Sequence, residues 1–261
     1  MSDQTQGAPV VPAATILLLR DEPSFEVLMV KRHHQIDFAA GALVFPGGKT
    51  HASDHDRAWQ SRTLAWDETP APQRALRIAA IREAYEETGI LLARHDDGSP
   101  FRGDEQAGAR RADIVAAPER FVTLLGDFGL VLDLAALTVF ARWITPLMMP
   151  KRFDTWFYLA AAPADQLAQC DGWETVDAEW IEPAEALRLG AAGERSVIFP
   201  TRMNLKLLAE ASNAEEAVSF ASARTLVTVE PRMVDGPDGR VLVIPSNAGY
   251  GEVRAPASSL P

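Results

Sequence analysis

The sequence predicts an α+β protein, an α/β/α sandwich around a mixed central sheet with an insertion ahead of its main helix and a C-terminal hairpin. Three observations carry that reading. Strand-like and helix-like runs are interspersed without the strict alternation of a doubly wound parallel sheet. The 261 residues are 47% hydrophobic and 23% charged, enough apolar side chain for a full core. The segment from Pro70 to Thr88 is apolar on two sides, as a helix sandwiched between layers must be. The expected organisation is a tail at 1–12, one domain at 13–245 and a second tail at 246–261. Within that domain lie the insertion at 49–69, a helical segment at 109–125 and the hairpin at 226–245.

Taken in order, Ala13 to Arg20 and Phe25 to Lys31 read as strands joined by the turn Asp21-Glu22-Pro23-Ser24. Gly41 to Phe45 is a third strand, stopped by Pro46-Gly47-Gly48. Lys49 to Thr69 has no period and is expected outside the core. The main helix starts at Thr69-Pro70, with Thr69 as N-cap, and ends at Gly89; Ile90 to Arg94 then resumes as a strand. After a polar loop, two helices fall between Ala109 and Leu125, and Leu137 to Ile144, Arg152 to Ala161 and Val176 to Ile181 are strands. Pro183 to Leu189, Thr201 to Ala211 and Ala214 to Ala221 read as helices, and the hairpin closes around Asp235 to Gly239.

Composition narrows the function. With 25 Lys and Arg against 36 Asp and Glu, the net charge is −11, which disfavours nucleic acid and anionic membranes as partners. A small anionic substrate then needs a few local cations or a metal. The one cysteine, Cys170, can form no internal disulfide, and its acidic surroundings do not suit a nucleophile. A reducing cytoplasm is the expected compartment, since Met1 to Pro12 lacks the pattern of a signal peptide and the chain ends Ser259-Leu260-Pro261 rather than in a peroxisomal tripeptide. The longest apolar run, Leu134 to Ala141, is too short to span a bilayer.

The informative stretch is Arg82-Glu83-Ala84-Tyr85-Glu86-Glu87-Thr88-Gly89-Ile90. At about 100° per residue, Glu83, Glu86 and Glu87 share an arc of roughly 100° on one helix face. Three carboxylates so close repel one another unless a cation sits among them. Arg82 can hold Glu86 across one turn. Hard oxygens without neighbouring thiol or imidazole favour Mg2+ or Mn2+ over zinc. An acidic surface helix is the plain alternative, but the five required identities recur by chance in roughly one chain in several thousand.

Gly48 followed by this helix resembles the Nudix box, G-x5-E-x7-R-E-U-x-E-E-x-G-U, of hydrolases that cleave diphosphates linked to another moiety. Arg82, Glu83, Glu86, Glu87, Gly89 and Ile90 match, and Ala84 stands in an aliphatic slot. Two departures mark this chain. From Gly48 to Arg82 is 82 − 48 = 34 positions where the box has 14, and the first glutamate is replaced by Asp54. The interrupted box, Phe45-Pro46-Gly47-Gly48 before it, and Trp143-Ile144-Thr145-Pro146 leading to Arg152-Phe153-Asp154-Thr155 are similar to the branch of coenzyme A diphosphatases related to the peroxisomal enzymes. Members of that branch carry an arginine where this chain has Asp37. The resemblance spans residues 13 to about 210 and leaves the hairpin out.

That resemblance implies a Nudix-type fold and metal-dependent hydrolysis of a nucleoside-diphosphate linkage. The leading substrate is coenzyme A or an acyl-coenzyme A, giving 3′,5′-ADP and the (acyl-)4′-phosphopantetheine. ADP-ribose, a dinucleotide cofactor or a nucleotide sugar is the alternative within the family, and a silent nucleotide-sensing module the alternative outside catalysis. It implies metal ligation by Glu83, Glu86, Glu87 and the Gly48 carbonyl, with Arg82 as their companion in the catalytic set. Arg32 and Arg152 are phosphate-contact candidates because a guanidinium forks onto paired oxygens. Phe153 is a candidate adenine shelf, with a core position the favoured reading, and Glu174 is a candidate extra acid. His33, His34, His51 and His55 lack a zinc-ligand spacing and read as loop histidines. The hairpin reads as a homodimer contact, a lid or a surface appendage.

Overall fold

The computed structural model describes residues 7–32, 41–170, 175–236, 239–251 and 253–256. Strand β1 (Val10–Arg20) alternates sides, as a pleated strand between two layers must: Ala14, Ile16 and Leu18 join one buried cluster and Leu17 and Leu19 the other. It begins at Val10 rather than at the expected Ala13, because Val10 to Pro12 already pair with Arg152 to Asp154. Strand β2 (Glu26–Arg32) returns antiparallel, followed by β3 (Leu43–Val44) and β4 (Gly47–Lys49). Strand β4 doubles back on β1, with Lys49 opposite Ala13 and Gly48 opposite Ala14.

The expectation that 49–69 lies outside the core is overturned. Two 3-10 turns, Ala52–His55 and Arg57–Ser61, and the short β5 (Thr63–Leu64) fold it down. Trp59 is 1% exposed, donates from Nε1 to the Ser53 carbonyl at 2.8 Å and packs on Phe121 at 5.6 Å. Trp66 is half-buried against the same cluster, beneath the Arg74 guanidinium at 4.5 Å. Aromatic burial does not need a period, so this packing left no pattern in the sequence.

Helix α1 (Ala71–Thr88) lies in the first layer, with both of its apolar sides buried. Its N-cap is Pro70, not Thr69, whose hydroxyl instead donates to the Ala65 carbonyl at 2.7 Å and closes the preceding turn. Gly89 ends it in the left-handed conformation at φ 75°, its N–H on the Tyr85 carbonyl at 2.9 Å. Gly89→Ala should therefore cost about 1–2 kcal/mol, read as a lowered urea midpoint with an unchanged slope. Ile90 to Ala93 forms no strand, its Ala93 N–H turning back to the Leu91 carbonyl at 3.0 Å, and only β6 (Arg94–His95) enters a ladder. The next segment starts earlier than expected and holds three short helices, α2 (Glu105–Ala109), α3 (Arg111–Ala116) and α4 (Phe121–Asp127). The Asp104 side chain caps the first of them by accepting from the N–H groups of Gln106 and Ala107.

Strand β7 (Leu130–Asp133) bridges β5 and β6, and β8 (Thr138–Ile144), β9 (Arg152–Ala161) and β10 (Thr175–Ile181) complete the centre. Helices α5 (Pro183–Ala191), α6 (Phe199–Leu208) and α7 (Ala214–Ala223) form the second layer, seating Ala186, Phe199, Met203 and Ala217 on the other sheet face. A parallel strand β11 (Thr228–Val229) closes the sheet order β10-β2-β1-β9-β8-β11, in which β1–β9 and β8–β11 are parallel and the other pairs antiparallel. This is the α/β/α arrangement around a mixed sheet. The hairpin is β12 (Arg232–Gly236) and β13 (Gly239–Val243), and a third strand β14 (Arg254–Pro256) joins it within the expected tail. Leu242, Ile244, Ala248 and Ala255 are buried in the second layer, so this unit is packed rather than appended. Among the described residues no helix is long and apolar enough to cross a membrane.

Candidate active site

The interrupted box closes in space. Arg82, 2% exposed, reaches Asp54 with Nε to Oδ1 and Nη2 to Oδ2, both at 3.1 Å, a fork on a fork. Its Nη1 donates to Glu83 Oε1 and Glu86 Oε1, both at 2.9 Å, and its Nη2 also to the Lys49 carbonyl at 2.9 Å. One guanidinium thus binds three carboxylates and the end of β4. Burial pulls the Arg82 pKa down, and Glu83, Asp54 and Glu86 more than reverse that, leaving it raised and the group charged throughout. Asp54 also accepts from the His51 N–H at 2.7 Å, which fixes the turn after β4.

Glu87, 4% exposed, accepts from the Gly47 N–H at 2.9 Å. Gly48 passes so close to the helix that a Cβ there would stand 2.5 Å from the Glu83 carboxyl carbon. Only glycine permits this approach, which sets the β4 backbone against the carboxylates. At this same C-terminal end of α1, Arg111 Nε donates to the Glu86 carbonyl at 2.8 Å and steadies the terminal turn.

Beside these groups lies a cavity of about 600 Å³. Glu83, Glu86, Arg82, Gly47, Gly48 and Lys49 line it beside β4, and Phe157, Trp143, Ile144, Pro146, Met149 and Phe199, with Thr145 and Thr155 among them, line it toward β9 and β8. Arg32 lines it, and its Nε is buried without a hydrogen-bond partner among the described residues. Phe153 also lines it, with the Lys49 ammonium 6.0 Å from its ring centroid. Lys49, assigned by sequence to the insertion, is the site residue that reading missed. Its signal was a cation directly after a Pro-Gly-Gly turn in an acidic chain.

Arg152 is a correction. It does not line the cavity, and its guanidinium donates to the Thr145 carbonyl at 3.0 Å and pairs with Glu230 at 2.7 Å. Those bonds tie the end of β9 to its neighbours and engage the guanidinium away from the cavity lining. Glu174, Asp37, His33 and His34 lie outside the described residues. His51 lines the cavity but bonds to Ser53 Oγ at 2.7 Å, and His55 is exposed. Cys170 is half-buried and offers its carbonyl to Arg111.

Residues 63–205, more than half of the chain, match the NUDT19 Nudix domain. The chain belongs to the Nudix hydrolases. A solved Nudix hydrolase from Alicyclobacillus acidocaldarius superposes with a TM-score of 0.72 at 30% identity, covering 81% of this chain and 96% of that one. The acyl-coenzyme A diphosphatase NUDT19 of Xenopus laevis is 25% identical over 87% of this chain and 72% of its own length. The human protein of that name is 26% identical over 87% and 73% respectively. This Nudix chain is a diphosphatase of the branch that holds the coenzyme A diphosphatases. Its departures from the Nudix box now have a physical account. Asp54 keeps the contact to Arg82 that closes the box, and Ala84, fully buried in the first layer, fills the aliphatic slot.

The metal that Nudix hydrolases generally use can be weighed against these donors. All are hard oxygens on rigid elements, with Gly48 backbone and three glutamates of one helix around β4, a set that suits Mg2+ or Mn2+. Among the described residues no three acidic, histidine or cysteine side chains already converge as a metal cluster. Arg82 occupies two of the three glutamates' neighbourhoods instead.

Proposed function

We propose that this diphosphatase hydrolyses coenzyme A or an acyl-coenzyme A to 3′,5′-ADP and the (acyl-)4′-phosphopantetheine. The observation that carries it is the cavity, with anionic and cationic groups beside β4 and a mostly apolar lining toward β9 and β8, in a volume suited to a ligand of this size. The names of the relatives support the same substrate class.

Glu83, Glu86, Glu87 and the Gly48 carbonyl would hold Mg2+ or Mn2+, which supplies Lewis acidity toward the diphosphate and the attacking water. The chain's own groups do the positioning. Arg32 and Lys49 place positive charge against phosphate oxygens on a protein of net charge −11. Arg82 holds the carboxylates of Glu83 and Glu86 in place before substrate arrives. A carboxylate of the set accepts the proton that water loses as its oxygen bonds phosphorus and the P–O–P bridge breaks.

A panel of coenzyme A, dephospho-coenzyme A and ADP-ribose with Mg2+ or Mn2+ tests the reading. Coenzyme A should be cleaved, with dephospho-coenzyme A poorer by about 10-fold or more in kcat/KM, since a charge-assisted contact to the 3′-phosphate contributes about 1.5–3 kcal/mol. Arg32→Ala should narrow that gap. Faster turnover of ADP-ribose would move the substrate to another nucleoside diphosphate. Calorimetric binding of all three with every ligand intact afterwards would make the chain a sensor.

A further inference from the structure

The wall of the cavity farthest from the carboxylates is held by the C-terminal segment. Cα partners align Lys49 on β4, Ala13 on β1, Thr155 on β9, Trp143 on β8 and Val229 on β11 in one row across five strands. Paired residues in one row share a sheet face, and the first four line the cavity. Three strand spacings separate Lys49 from Trp143, roughly 14 Å at about 4.8 Å each. A substrate whose diphosphate lies at the Gly48 end therefore meets Trp143 well along one arm.

Trp143 is 4% exposed and held on two sides. Its backbone pairs with Val229, and its indole packs edge-on against Phe199 at 5.9 Å and Tyr250 at 5.5 Å. The indole N–H donates to the Tyr250 oxygen at 3.1 Å, and the Tyr250 hydroxyl donates to Asn204 Oδ1 at 2.6 Å. Burial pushes the Tyr250 phenol up to about 12, so it keeps the proton it donates at any working pH. Asn204 is fully buried on α6, which holds its acceptor in place, and its Nδ2 has no hydrogen-bond partner among the described residues. Pro231, between β11 and β12, also lines the cavity. Tyr250, Pro231 and Val229 all lie beyond residue 205, where the match to the Nudix domain ends.

We propose that Tyr250 is a positioning residue that fixes Trp143 as the wall reading the non-nucleotide arm of the substrate, so that the C-terminal segment sets selectivity among thioesters and free coenzyme A. This rests on the substrate class proposed above. The neighbouring wall residues, Ile144, Met149, Phe157 and Ile198, offer no side-chain hydrogen bond, which fits an aliphatic arm better than a base.

The test compares octanoyl-coenzyme A with coenzyme A on the wild type, Tyr250→Phe and Trp143→Phe, the second variant guarding against misfolding of the first. Tyr250→Phe should raise KM for octanoyl-coenzyme A at least 5-fold, leave kcat within 2-fold, and leave KM for coenzyme A within 2-fold. Trp143→Phe should shift the same ratio in the same direction. In 15N-labelled protein the Trp143 indole N–H should exchange at least 10-fold faster in Tyr250→Phe. An unchanged ratio of kcat/KM between the two substrates in both variants overturns the inference while the substrate reading stands. A wild type that cleaves neither substrate overturns the reading, and the inference with it.

Discussion

Arg82→Ala is expected to lower stability by about 3–5 kcal/mol and to abolish measurable turnover. The side chain is buried, and it is the shared partner of Asp54, Glu83 and Glu86. Removing one member of a buried ion set leaves the others desolvated without their counter-charge, which costs far more than the net contribution of the set itself. The Lys49 carbonyl loses its donor as well, leaving the Gly47 N–H bond to Glu87 as the remaining hydrogen bond described between β4 and α1. Arg82→Lys should recover little of either property. A compact ammonium cannot fork onto Asp54 while reaching two glutamates. Urea unfolding and initial rates on the same preparations decide this. A loss under about 1 kcal/mol would show that α1 and β4 are held together by apolar packing instead.

Glu86→Gln is expected to behave differently, lowering kcat by about 100-fold or more with a melting temperature within about 2 °C of the wild type. Glu86 lies at the cavity and is one of three carboxylates on one helix face. Its amide replacement keeps the shape and can still accept from Arg82, and removing a negative charge relieves repulsion with Glu83 and Glu87. What the amide cannot do is bind a hard cation as a carboxylate does or accept a proton, and either loss is felt only in the reaction. Retained activity would remove Glu86 from the catalytic set. A large drop in melting temperature would instead make its ion pair with Arg82 structural.

How much of this could be read in advance depended on the range of each contact. Arg152 to Ala161 was found to the residue, because its β-rich run shows in the sequence itself. The pairing of Arg82 with Glu86 followed from one helical turn. Asp54 was visible as a departure from a pattern, but its return to Arg82 across 28 positions was not. Trp59 was misplaced for the same reason, since nothing local distinguishes a buried tryptophan in an aperiodic segment from an exposed one. Arg152 looked like a phosphate ligand because a guanidinium suits one; its actual partners, Thr145 and Glu230, come from two other parts of the chain. Strand β14 was missed because three residues carry too little pattern, and its pairing with β13 is what makes it a strand.

The folded insertion has a consequence for how this signature travels through evolution. Asp54 and Arg82 meet although 82 − 54 = 28 positions part them, where the uninterrupted box has 8. By loop-closure arithmetic the longer excursion costs only about 1 kcal/mol more. Burying Trp59 returns about 1.5–3 kcal/mol. The length of the excursion is therefore a minor obstacle to closing the box. The motif is a meeting of side chains rather than a fixed string, so a search demanding constant spacing will overlook chains that keep the meeting and lengthen the path. For protein engineering, the exposed stretch around Arg57 and Gln60 becomes a port where foreign sequence can be grafted, provided that the Trp59 anchor stays in place.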